Sequence, residues 1–134
     1  MLKKDADDFE LNFFEGVVRE RPNYVEALVP LAHVYTRLGF HEKSLEIDKR
    51  LAGLCKHDPV IHYNLACSYS LLGQLPQSLT ALKKAVRLGF QDLRYIEKDQ
   101  DLKNLCTYRP FLRWMETVKA SQFTKMLGKI QERS

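Results

Sequence analysis

Leu31-Ala32-His33-Val34-Tyr35-Thr36-Arg37-Leu38-Gly39 returns 34 residues later as Leu65-Ala66-Cys67-Ser68-Tyr69-Ser70-Leu71-Leu72-Gly73. Leu, Ala, Tyr, Leu and Gly hold the same places in both stretches, and the register persists beyond them, with Ser44 matching Ser78 and Leu45 matching Leu79. Residues 25–58 therefore lie over residues 59–92 as two copies of one unit, and a fixed period of this length marks a repeat architecture. Within the first copy Leu28, Leu31, Ala32, Tyr35 and Leu38 recur at helical spacing, Gly39 interrupts, and Leu45, Asp48 and Leu51 resume it. The second copy runs through Leu65, Ala66, Tyr69 and Leu72 to Gly73 and resumes through Leu79, Leu82 and Ala85. Gly39 and Gly73 suit the left-handed residue that ends a helix, because they carry no Cβ to clash there. Asp58-Pro59 reads as an N-cap followed by proline at the first helical position, and Pro76 opens the second helix of the second copy in the same way. Pro30 lies about seven residues into a helix expected to begin near Asn23. There it removes a backbone bond to Glu26 at a cost on the order of 3 kcal/mol and predicts a kink.

The pattern Leu-Ala-x-x-Tyr-x-x-x-Gly, carried by Leu31 to Gly39 and again by Leu65 to Gly73, resembles the tetratricopeptide repeat. Phe14, Val17 and Pro22 fall on the same register one period earlier, so residues 6–22 read as a half repeat and the resemblance covers roughly residues 6–92. Ser44 and Ser78 stand where that family usually has alanine, and Leu28 and His62 where it usually opens with an aromatic residue; weaker packing is expected at these places. Past Gly89-Phe90 the register fails, since Asp99 and Asp101 would fill apolar positions of a third unit. The run from Gly89 to Leu93, then Asp99 to Leu105, then Pro110-Phe111-Leu112 is similar to a segment that closes many bacterial proteins of this family. Leu102, Leu105, Phe111, Trp114 and Met115 are positioned in it to cover the apolar face left by the last repeat. The expected architecture is one all-α domain, a right-handed superhelix with the half repeat over 6–22, full repeats over 25–58 and 59–92, and a capping segment with a C-terminal amphipathic helix over 93–134.

The resemblance implies a concave groove lined by the first helices of successive units, receiving an extended peptide or a helix of a protein partner. By register the groove residues are Glu26, Val29, His33, Thr36 and Arg37 of the first unit and Val60, Tyr63, Asn64, Cys67, Ser70 and Leu71 of the second. Some members clamp a chaperone's C-terminal carboxylate with lysine, asparagine and arginine. Asn64 matches one such position and Arg94 and Lys98 imitate the third-unit cations, but Val29 and His33 stand where a lysine and an asparagine belong. From Pro110 to Ser134 the chain reads as one long amphipathic helix on which Trp114, Met115 and Val118 form a first apolar stripe and Phe123, Met126, Leu127 and Ile130 a shifted one. With Lys119, Lys125 and Lys129 beside it, the shifted stripe is a second candidate surface for a protein partner, for self-association or for peripheral contact with an anionic membrane.

Other chemistries are less well supported by the residues. Cys55, His57, His62 and Cys67 are the right types for zinc, but Cys55 should end one helix while Cys67 sits two turns into the next. No histidine acquires a nucleophile or carboxylate partner by spacing, so neither an enzyme nor a cofactor is expected. Three cysteines without a C-x-x-C pair fit a reducing compartment, and an acidic start without an apolar run argues against a secretory signal; a cytoplasmic location is the expectation. The net charge of +4 comes from 21 basic and 17 acidic side chains interleaved along the chain, which argues against nucleic acid as a partner. The function expected from these readings is a non-catalytic adaptor or scaffold. A filament adaptor resembling bacterial kinesin light chains and an RNA-binding helical repeat stand as the alternatives.

Overall fold

The structure, a computed structural model, describes residues 2–133 and, at Leu2, the backbone alone. Among the described residues it is all-helical, with seven α-helices and two short 3-10 turns. Helix α1 (Leu2–Glu20) precedes α2 (Val25–Arg37), α3 (His41–Leu54), α4 (Pro59–Leu71) and α5 (Leu75–Arg87). A short α6 (Leu93–Lys98), 3-10 turns at Gln100–Leu102 and Leu105–Thr107, and the long α7 (Arg109–Arg133) complete the chain. Each of the first five helices packs mainly on its neighbours in sequence, α1 on α2, α2 on α3, α3 on α4 and α4 on α5.

The 34-residue period is written into the backbone. Helices α2 and α4 have the same length and start one period apart. Both end at a glycine with positive φ, 85° at Gly39 and 74° at Gly73, where the amides of Phe40 and Gln74 reach back to the carbonyls of Tyr35 and Tyr69. Asp58 caps α4, its carboxylate accepting from the Val60 amide at 2.9 Å and from the Ile61 amide at 3.4 Å. Helix α2 begins at Val25, two residues later than Asn23, and runs on through Pro30 to Arg37.

Ser44 and Ser78 are both buried, and each hydroxyl donates to the carbonyl of the alanine on the preceding helix, Ser44 Oγ to Ala32 at 3.2 Å and Ser78 Oγ to Ala66 at 2.7 Å. A small side chain lets the two helices approach, and the hydroxyl then finds an acceptor that offsets the cost of its burial.

Two apolar clusters fill the interior. Leu28, Leu31, Ala32, Tyr35, Ile47, Leu51 and Ile61 form the first, with Leu11, Phe14 and Val18 of α1 packed on it. The larger second cluster joins Ala66, Leu79, Leu82 and Ala85 to Leu93, Ile96, Leu102, Leu105, Phe111 and Met115, with Trp114 against it. The segment after Gly89 thus lies on the apolar face of α4 and α5. Helix α7 contributes Phe111 and Met115 to the core, and none of its described residues beyond Val118 is buried.

Candidate binding groove

Helices α2 and α4, together with α6 and the turn after it, enclose a recess of about 320 Å³. Seven of the residues predicted from the repeat register line it: His33, Thr36 and Arg37 from α2 and Tyr63, Asn64, Cys67 and Leu71 from α4. These positions recur at i, i+3 or i+4, so one face of each helix is presented to the same space.

The floor is polar, and the residues that make it so include several that the register did not single out. Asp48 of α3 is 3% exposed and accepts a hydrogen bond from the Ser68 hydroxyl. The Thr36 hydroxyl donates to Ser44 Oγ at 2.7 Å, and Ser44 Oγ lies 3.5 Å from Ser68 Oγ. Burial pushes the Asp48 carboxyl up to about 6, with the Ser68 hydrogen bond pulling against it. The sequence carried a signal for this residue: one period on, Asp48 becomes Leu82, a fully buried apolar side chain, so a carboxylate stands here at a core position.

The segment after α5 closes one end of the recess. The Tyr63 hydroxyl donates to Asp99 Oδ2 at 2.6 Å, and its ring stacks on Phe90 with centroids 4.2 Å apart. Tyr95 tilts against both rings. Asp99 Oδ1 accepts from the Asp101 amide at 3.0 Å, and Asp101 lines the recess as well. Burial, then the hydrogen bond to Asp99, holds the Tyr63 phenol above the ordinary tyrosine range. Burial, then the Asp99, Asp101 and Asp48 carboxylates, pushes the Cys67 thiol up, which favours its protonated form.

The remaining predicted positions lie elsewhere. Glu26 and Val60 are exposed outside the recess, and Val29 packs against the first apolar cluster. Ser70 is fully buried: its hydroxyl accepts from the Leu105 amide at 3.3 Å and its carbonyl from Asn104 Nδ2 at 3.0 Å. It serves the attachment of the closing segment, and neither it nor the 4% exposed Tyr63 offers an open surface. Arg94 and Lys98 are exposed on α6 and do not line the recess, so the cations of a carboxylate clamp are not gathered around Asn64. Arg37 stands at the rim with its guanidinium engaged by α1, 3.0 Å from Asp7 and 2.9 Å from Glu10. His62 Nε2 is bonded to the Lys56 carbonyl at 2.9 Å, and among the described residues no group of three or more His, Cys, Asp or Glu side chains is placed to hold a metal.

The second candidate surface is open throughout. Phe123, Met126, Leu127 and Ile130 are 57%, 50%, 43% and 56% exposed, and Lys125 and Lys129 are exposed beside them. Lys119 pairs with Glu97 at 3.0 Å, and Gln122 donates to the Gln91 carbonyl at 3.4 Å. Among the described residues no helix is long and apolar enough to cross a membrane.

No protein-family model matches the chain. Among curated proteins it is similar to a chloroplastic protein of Arabidopsis thaliana, with 35% identity over 81 residues, 58% of this chain and 24% of that protein. The chain spans about a quarter of the length of this curated relative.

Proposed function

We propose that the chain is a non-catalytic tetratricopeptide-type adaptor, a right-handed superhelix of two repeats whose groove holds a segment of a protein partner. The observation that carries this reading is the recess between α2 and α4, built from side chains that one face of each repeat's first helix presents. Three carboxylates, Asp48, Asp99 and Asp101, line it, while its arginine is already engaged by two acids of α1. That field favours a partner segment carrying lysine or arginine. In this reading Asn64, half-buried at the wall of the recess, holds the backbone of such a segment.

The test is site-specific cross-linking. A photoreactive residue placed at Asn64 is expected to capture one protein in stoichiometric amount from the native cell extract, and a His33→Ala/Asp101→Asn variant carrying the same probe is expected to lose it. Capture that persists undiminished in the variant, or capture only from a probe at Phe123, would overturn the groove as the binding site.

A further inference from the structure

The groove leaves two apolar stripes unexplained, one at each end of the stack. On α1, Phe9 and Phe13 are 70% and 54% exposed, one helical turn apart, with their rings stacked at 6.2 Å. Helix α1 packs on α2 through its other face, through Leu11, Phe14 and Val18. On α7, Phe123, Leu127 and Ile130 follow one another at i, i+4 and i+7, all exposed. Residues 119–133 bury no side chain.

Charge selects what covers them. Helix α1 carries six acidic side chains against three basic, a net of −3 that Arg37 of α2 reduces to −2 by pairing with Asp7 and Glu10, whereas α7 carries six basic against two acidic, a net of +4. Asp5 and Asp8 are exposed beside the α1 stripe, and Lys125, Lys129 and Arg133 are exposed on α7. Each stripe repels its own copy and attracts the other, which disfavours a symmetric α1–α1 or α7–α7 pair.

We infer that the chain assembles head to tail, the apolar stripe of α7 in one copy lying along the stripe of α1 in the next. Phe123, Leu127 and Ile130 cover Phe9 and Phe13, and the opposite charges of the two helices set the pairing. The two surfaces differ, so the contact is heterologous and a growing chain of copies keeps one free stripe at each of its ends; the product is a ring or an open chain of copies. This assembly is independent of the groove reading.

Light scattering on the 134-residue chain in low salt, run over a concentration series, provides the test. The expected result is a mass that rises with concentration past that of a dimer, with an apparent association constant lowered roughly tenfold in high salt. Phe9→Ser/Phe13→Ser and Phe123→Ser/Leu127→Ser variants are each expected to stay monomeric, while their equimolar mixture stops at a pair of chains, because one intact α1 meets one intact α7. Circular dichroism checks that both variants keep their helices; if either does not, Phe9→Gln/Phe13→Gln and Phe123→Gln/Leu127→Gln, which remove the stripes with a better helix former, take their place in the same mixing design. A wild-type chain that stays monomeric throughout, or a mixture that does not pair, overturns the inference. So does an oligomer indifferent to the α1 variant, which points to α7 pairing with itself. A monomer that co-sediments with phosphatidylserine vesicles through Phe123 and Leu127 overturns it in favour of a lipid surface.

Discussion

Asp48 fills in the first unit the place that Leu82 fills in the second, and a buried carboxyl behaves differently from a buried leucine when the pH changes. Its folded-state value of about 6 lies above the value of 3.8 it has when free in water, so between these two the native state binds more protons than the unfolded one. Its contribution to stability is therefore fully present below 3.8, with the carboxyl protonated, and is lost as pH rises through about 6, by roughly 3 kcal/mol at most. Thermal melts are expected to show a higher midpoint at pH 5 than at pH 7, and Asp48→Asn to raise the pH 7 midpoint and flatten that dependence. A midpoint that falls steadily from pH 7 to 5 in the wild type would contradict it. Tyr63 gives a second prediction at this scale. Tyr63→Phe removes the hydrogen bond to Asp99 and keeps the stacking on Phe90, at an expected cost of about 1–3 kcal/mol in denaturant unfolding.

Helix α7 is a single helix with two different roles along its length. At roughly 1.5 Å per residue its 25 residues extend about 37 Å, and only the first part has the second cluster beneath it. Truncation after Val118 removes no buried side chain and is expected to change global stability by less than about 1 kcal/mol. Phe111→Ala, at a position 1% exposed and between α7 and the turns, is expected to cost about 3–5 kcal/mol. Urea denaturation of the two variants side by side measures the contrast; equal losses would mean that the distal half supports the fold.

Over the whole molecule, stability is divided between the two apolar clusters. The first holds α1–α3 together with Ile61 of α4, and the second holds α4 and α5 together with the segment after Gly89. The polar group of Thr36, Ser44, Asp48 and Ser68 lies where α2, α3 and α4 meet. A chain whose helices pack mainly on their sequence neighbours opens from its weaker end, as contact energies add along the stack. Native-state hydrogen exchange is expected to show the amides of α1–α3 opening at lower free energy than those of α4 and α5, and Leu28→Ala to speed exchange in α1–α3 alone. A uniform opening energy along the chain would show that the clusters unfold as one.

By itself the sequence determined the helix pairs of the two 34-residue copies and the glycines that end their first helices. Period, glycine and cap are local: Gly39 and Gly73 are needed for the backbone they adopt, Asp58 for the amides immediately after it, and Leu31, Ala32 and Tyr35 for the face they share. The same register put seven of its groove residues around one recess. The tertiary structure alone decided which of them remain accessible, because accessibility depends on what lies opposite. Tyr63 and Ser70 are drawn into the attachment of the closing segment by Asp99, Asn104 and Leu105, some 35 residues away in a stretch without the repeat's register. Arg37 is claimed by α1, 27 and 30 residues earlier. Asp48 stands where the second copy has Leu82, but its proton affinity comes from burial among α2, α3 and α4, and burial is a property of the assembled helices.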